Sequence, residues 1–135
     1  MNFFRRRSPG DHVDEAEARV AELRLTLLVT MAAIDDRMAL SELDLLNQAI
    51  ERLGTSHAHR DVLADQLLDL LDDPPNVARA AGLVGDHALT GEQARTITHE
   101  LMCMALSDGV VHPSEQDLLR AVQYAISCAP QRVPA

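Results

Sequence analysis

The sequence predicts an all-α domain, and three features of the 135-residue chain lead to that class. Its hydrophobic residues, 47% of the total, are mostly Ala, Leu, Val, Ile and Met, and the chain is rich in good helix formers. They recur every three or four positions, the period of one helix face, and no run alternates as a half-buried strand does. With two Phe, one Tyr and no Trp, the core is expected to be aliphatic. The length favours one domain.

The first three predicted helices each carry an apolar face and an end signal. The first runs over residues 14–35, and the acidic residues of its first turn suit the positive end of the helix dipole. The second runs over 41–53 and stops at Gly54. The third covers 58–71 and ends before Pro74, because the residue before a proline is disfavoured in helix. The residues expected to face the core are Val20, Leu23, Leu27, Met31, Ile34, Leu43, Leu46, Ile50, Leu53, Leu63, Leu67, Leu70 and Leu71.

The last three predicted helices are marked mainly by their starting residues. The fourth covers 75–84 and places Pro75 in its first turn, where a missing N–H is harmless. The fifth begins at Thr90, which has the spacing of a capping box with Gln93. The sixth covers 114–127. The residues expected to face the core here are Ala94, Ile97, Leu101, Met104, Ala105, Leu118, Val122, Ala125 and Ile126.

Two short tails are expected to flank the domain. Residues 1–13 form a basic N-terminal tail, residues 14–129 a single helical domain and residues 130–135 a C-terminal tail. The first tail combines two phenylalanines with three arginines, a pattern that could contact an anionic membrane surface. A solvated tail is favoured instead, because chain termini are usually poorly ordered. A secretory signal requires an apolar segment after its basic residues, and none follows these arginines. The apolar stretch 23–34 is too short to span a bilayer.

Charge and cysteine content limit the classes of partner. The chain has 21 acidic and 12 basic residues, a net charge of −9. Such a chain repels phosphate backbones, so nucleic-acid binding is not expected. The two cysteines form no spaced disulfide framework, and a cytoplasmic location is the simpler assumption.

An internal repeat is the most informative feature of the sequence. With an offset of 73 residues, segment 28–35 aligns with segment 101–108, and the register continues without a gap into the following helix. Apolar matches are expected between any two helices, but four polar matches in one register are not expected by chance. These pairs are Asp35 with Asp108, Ser41 with Ser114, Glu42 with Glu115, and Asp44 with Asp117.

Each copy of the repeat is interpreted as a helix, a tight loop and a second helix. We expect Ser41 and Ser114 to be the N-caps of the second helices. We expect Glu42 and Glu115 at the first helical position, where exposed N–H groups favour negative charge. Gly109 can adopt the left-handed conformation required just past a helix end. Two such hairpins, bridged by the third and fourth helices, would form a compact bundle of about six helices.

The second copy resembles a known family. Residues 105–115, ALSDGVVHPSE, are similar to the A-x-x-D-G-x-hydrophobic-x-x-x-E signature of TerB-like domains, and the resemblance extends over residues 19–126. The first copy, 35–42, keeps the aspartate and glutamate but lacks the glycine and proline. The resemblance implies an all-helical module with paired hairpins, associated with tellurite resistance and general stress response. It also implies a cytoplasmic or inner-membrane-face location and divalent metal binding, while no catalytic activity is established for the family as a class.

Four carboxylates are the candidate metal ligands: Asp35, Glu42, Asp108 and Glu115. Carboxylate oxygens are ligands that Ca²⁺, Mg²⁺ and Mn²⁺ accept, although the spacing does not match an EF-hand loop. The alternative is a structural role, in which each aspartate accepts loop N–H groups and each glutamate interacts with its helix dipole. If the two loops lie together, the four carboxylates would form one acidic patch, and a divalent cation would relieve their repulsion.

Other candidate residues give weaker signals. His99 and Cys103, four residues apart, could form half of a zinc site, but no second pair at ligand spacing is evident. There is no Gly-rich phosphate loop, nucleophile elbow or catalytic triad pattern. We therefore expect a non-enzymatic module with a protein partner. The alternatives are a metal-dependent hydrolase that uses the same four carboxylates and a structural adaptor at the inner membrane face.

Overall fold

A computed structural model describes residues 9–34, 40–107 and 109–128 of the chain. Those residues contain six helices and no strand, as the all-α class requires. Asp35, Asp108 and the segments 1–8 and 129–135, on which parts of the sequence predictions fall, lie outside the described residues. In chain order the helices are α1 (Pro9–Ala33), α2 (Leu40–Leu53), α3 (His57–Asp72), α4 (Val77–Gly85), α5 (Gly91–Ala105) and α6 (Pro113–Cys128).

The helix bounds agree with the sequence predictions except at two starts. α1 begins at Pro9, well before the predicted residue 14, because proline is suited to the first helical position and need not mark a linker. α4 begins at Val77, so the expected place of Pro75 in its first turn is wrong. Asn76 is the N-cap instead, and its Oδ1 accepts the Arg79 N–H at 2.8 Å.

The middle of α1 is the centre of the core. α1 packs against α2, α3, α4 and α5. Leu23, Leu27 and Met31 are buried as predicted, but Leu25 and Val29 on the opposite side are also fully buried. A helix with apolar residues on all sides must be covered on all sides. The sequence analysis predicted only one buried face of α1 and therefore missed Leu25 and Val29.

A buried polar network joins α1 to α3. The Thr30 hydroxyl donates to the Thr26 carbonyl at 2.7 Å, and the Thr26 hydroxyl donates to the Glu22 carbonyl at 2.9 Å. The Gln66 side chain of α3 donates to the Thr26 hydroxyl at 2.9 Å and to the Glu22 carbonyl at 3.1 Å. These bonds satisfy polar groups that would otherwise be costly to bury in an aliphatic core.

α1 and α5 lie side by side and run in the same direction. Val20, in the N-terminal half of α1, and Gln93, near the N-terminus of α5, line the same surface depression. Further along both helices, Leu28 and Met104 line one groove. The C-terminal ends of α1 and α5 therefore lie at the same end of the pair. α6 then packs on α5 and on α4.

The starts of α2 and α6 agree with the register of the repeat, but the predicted N-cap residues are wrong. α2 begins at Leu40 and α6 at Pro113, which is the 73-residue offset of the sequence repeat. Ser41 and Ser114 are each the second residue of a helix, so their assignment as N-caps is wrong. In α6 the physical reason is Pro113, which suits the first helical position and starts the helix one residue early.

Glu115 closes the start of α6 in place of the serine. It is the third residue of the helix rather than the first, and its Oε1 accepts the His112 N–H at 2.9 Å. The His112 carbonyl in turn accepts the Gln116 N–H at 3.0 Å, which identifies His112 as the N-cap. This is the reciprocal half of a capping box, with glutamate reaching back to the cap residue. Glu42 is likewise the third residue of α2.

Substitutions at two helix starts should distinguish a true cap from a residue inside the first turn. In α5 the predicted capping box is confirmed: Thr90 Oγ1 accepts the Gln93 N–H at 3.1 Å, and Gln93 Oε1 accepts the Thr90 N–H at 2.9 Å. We expect Thr90→Ala to lower the free energy of unfolding by about 1 kcal/mol. Ser114→Ala should change it by less than about 0.5 kcal/mol. Urea unfolding of both variants measures this, and equal losses would contradict the cap assignment.

Candidate functional site

The second junction, residues 106–112, connects α5 to α6 through a glycine with positive φ. Leu106 donates its N–H to the Met102 carbonyl at 3.0 Å, and Ser107 donates to the Met104 carbonyl at 3.2 Å. Gly109 has a φ of 87°, and its N–H donates to the Leu106 carbonyl at 2.9 Å. The predicted left-handed glycine is therefore confirmed, and a residue with a Cβ would be strained there.

Glu115 is a buried carboxylate at this junction, with only 4% of its surface exposed. Its position in the first turn of α6 is favoured by the helix dipole, and its bond to the His112 N–H ties the junction to the helix. In the described geometry Glu115 therefore stabilises the start of α6. Glu42 is half-buried at the equivalent position of α2. We call the segment between α1 and α2 the first junction.

Both junctions leave the same end of the α1–α5 pair. In the sequence, Asp35 follows the last turn of α1 and Asp108 follows the last turn of α5, although both aspartates lie outside the described residues. Among the residues that the structure does describe, no group of three or more His, Cys, Asp or Glu side chains could hold a metal ion. Of the four predicted metal ligands, only Glu42 and Glu115 are among the residues that the structure describes.

A groove of about 430 Å³ lies between α2 and α5 above α1. Leu28, Leu45 and Met104 give it an apolar lining, and Arg24, Arg52 and Glu100 supply its charged side chains. Its volume is in the range of small-ligand clefts, which are mostly apolar with a few placed polar groups. We call this feature the α2–α5 groove.

An ion-pair network crosses the α2–α5 groove. Arg24 binds Glu100 through two bonds, Nε to Oε1 at 2.8 Å and Nη2 to Oε2 at 2.6 Å. Arg52 adds a third bond to Glu100 Oε2 at 3.3 Å. The Glu100 side chain is only 11% exposed, whereas that of Arg52 is 55% exposed. One carboxylate on α5 therefore joins α1 and α2, and the bidentate fork is the strong part of the network.

This network was not predicted from the sequence. Arg24 and Glu100 are 76 residues apart, and Arg52 is 48 residues from Glu100, so no local spacing connects them. The available signal was Arg24 itself, a charge within an otherwise apolar stretch, since a charge in a buried helix requires a partner.

His99 and Cys103 are brought together on the outer side of the same groove. Cys103 Sγ lies 3.5 Å from His99 Nε2, and both side chains are exposed. The neighbouring methionines diverge, with Met102 partly exposed and Met104 buried, as consecutive helical positions predict.

The sequence model of the family described as Tellurite resistance protein TerB matches residues 21–133 of the chain. The chain belongs to the TerB family. The match begins in α1 and extends past α6, so it covers both hairpins of the TerB-family domain and confirms the resemblance carried by residues 105–115. No curated protein matches the chain, and no solved structure does.

Within residues 9–34, 40–107 and 109–128, no helix is long and apolar enough to cross a membrane.

Removal of Glu100 should destabilise the TerB-family domain, because it leaves the half-buried Arg24 without its bidentate partner. We expect Glu100→Ala to lower the free energy of unfolding by about 2 kcal/mol, as for loss of hydrogen bonds to a charged group. Glu51→Ala is the matched control, because the exposed Glu51 carboxylate lies 3.9 Å from Arg60 and should contribute less than about 0.5 kcal/mol. Urea unfolding measures both losses. If Glu100→Ala lowers the free energy of unfolding as little as Glu51→Ala does, the network is energetically unimportant.

Proposed function

We propose that this TerB-family domain is a non-enzymatic interaction module whose junction end responds to a divalent cation. The observation that carries the proposal is the common direction of α1 and α5, which puts the exits to both junctions at one end of the bundle. The candidate ligands are Asp35, Glu42, Asp108 and Glu115. Ca²⁺, Mg²⁺ and Mn²⁺ are the cations that oxygen ligands of this kind favour.

The position of Glu115 explains how a cation would affect the fold. This buried carboxylate already fixes the start of α6 through the His112 N–H, and α6 packs on α4 and α5. A cation held beside it would reduce repulsion among the carboxylates and stabilise the junction. Because the cation would bind the folded state, it would raise the free energy of unfolding by mass action.

The α2–α5 groove is the surface that we assign to the partner. Its apolar lining suits an aliphatic side chain, and the largely exposed Arg52 lies at its edge with one bond of 3.3 Å to Glu100. A protein segment with an apolar side chain next to a carboxylate would complement both features.

A thermal-stability series tests the cation response. We expect Ca²⁺, Mg²⁺ or Mn²⁺ to raise the melting temperature of the full chain, with a gain of about 2.7 kcal/mol at about 100 times the dissociation constant. Asp108→Asn and Glu115→Gln should each abolish this cation-induced rise. Asp117→Asn, an exposed carboxylate of α6 lying 3.9 Å from Arg120, is the matched control and should retain it.

The quantity to compare is the shift caused by the cation, because Glu115→Gln also weakens the α6 cap and lowers the starting stability. A rise that survives Asp108→Asn and Glu115→Gln would place the cation elsewhere. If none of the three cations raises the melting temperature, the carboxylates have a structural role only.

An activity screen tests the non-enzymatic part of the proposal. We expect no hydrolysis of phosphoester, carboxylic ester or peptide substrates above the buffer rate, with or without Mn²⁺ or Mg²⁺. The metal-dependent hydrolase alternative requires turnover that appears with metal and is lost in Asp108→Asn. Such a result would overturn the non-enzymatic assignment without affecting the cation site.

A further inference from the structure

One exposed side-chain pair on α5 lies apart from the carboxylates of the junctions. His99 and Cys103 are one helical turn apart, a spacing that places both side chains on one face. The Cys103 sulfur and the His99 Nε2 atom approach to 3.5 Å at the edge of the α2–α5 groove. Both are soft or borderline ligands of transition metals, unlike the carboxylate oxygens of the junctions.

The separation of the two atoms matches that of two ligands on one tetrahedral ion. Zinc–sulfur bonds of about 2.3 Å and zinc–nitrogen bonds of about 2.0 Å, at a tetrahedral angle, place sulfur and nitrogen about 3.5 Å apart. The observed distance is 3.5 Å. We infer that His99 Nε2 and Cys103 Sγ bind one thiophilic divalent cation such as Zn²⁺, with the remaining coordination positions open.

The pair forms a thiol–imidazole contact in the structure. Binding replaces the thiol proton: the sulfur–hydrogen bond breaks, a sulfur–metal bond forms and one proton passes to solvent, while the neutral imidazole donates its Nε2 lone pair. No oxidant or reductant takes part. The helix fixes both Cα positions, so only the side-chain torsions of His99 and Cys103 need to be ordered when the ion binds.

The sulfur and imidazole ligands of the pair favour a thiophilic ion over Ca²⁺ or Mg²⁺, which prefer oxygen ligands. The Glu100 carboxylate in the groove is already held by Arg24 and Arg52, which leaves this part of the groove positive. A cation held mainly by charge is disfavoured there, whereas a thiolate bond has covalent character. In the described residues no third His, Cys, Asp or Glu joins the pair, so water or a ligand within the groove would complete the coordination.

Cobalt binding to the reduced, untagged full chain tests the site. Co²⁺ replaces Zn²⁺ and reports a thiolate ligand through a sulfur-to-metal charge-transfer band in the near ultraviolet. We expect this band at one Co²⁺ per chain and its disappearance on addition of Zn²⁺. Cys103→Ser should abolish the band. His99→Ala should weaken Co²⁺ binding by at least about tenfold, since loss of even an outer-shell partner of a metal site costs about that much.

Cys128→Ser is the matched control. Cys128 is the other cysteine, is also exposed, and lies on α6 beside Tyr124, where its hydrogen bond raises the pKa of the Tyr124 phenol. This variant should keep the band, as should Asp108→Asn with Glu115→Gln, so the test is independent of the junction proposal. A band that is absent from the wild type, persists in Cys103→Ser or is lost in Cys128→Ser would overturn the inference. One ion per two chains would also contradict it.

Discussion

The burial of α1 on all sides is the constraint on which the rest of this structure depends. Its middle, from Leu25 to Ala32, has no side that tolerates water, and an aliphatic core provides no aromatic bulk to cover it. Four other helices are therefore needed around it, and α2, α3, α4 and α5 occupy those places. The hydroxyls of Thr26 and Thr30, which this arrangement buries, form hydrogen bonds within it, and Gln66 donates to the Thr26 hydroxyl.

The same constraint generates both candidate sites. Because α5 lies along α1 in the same direction, the two Asp–Glu junctions are reached from one end of the bundle. Because α2 and α5 cover neighbouring sides of α1, the space between them becomes a groove with Leu28 beneath it. Arg24, the charge that interrupts the apolar stretch of α1, is paired there with Glu100. The fold thus determines the place of the ion-pair network.

The sequence predicted those features whose physical causes are local. Helical periodicity, the Thr90 capping box and the positive φ of Gly109 each depend on a few neighbouring residues, and all are confirmed. The Ser114 cap failed because the adjacent Pro113 competes for the helix start, a choice between two local preferences that spacing alone does not decide. The bidentate Arg24–Glu100 pair joins residues 76 positions apart and depends on packing, so no sequence pattern revealed it.

In the proposed cation response, Glu115 would keep its structural role at the start of α6. Its burial removes most of the water that would stabilise a carboxylate, and the His112 N–H and the start of α6 replace that water. These partners are supplied by the protein itself, whereas a zinc finger requires its ion to fold. A cation would supply further compensation to a charge already placed by the fold. Its binding would therefore adjust the stability of one end of the bundle rather than create the fold, as a responsive module requires.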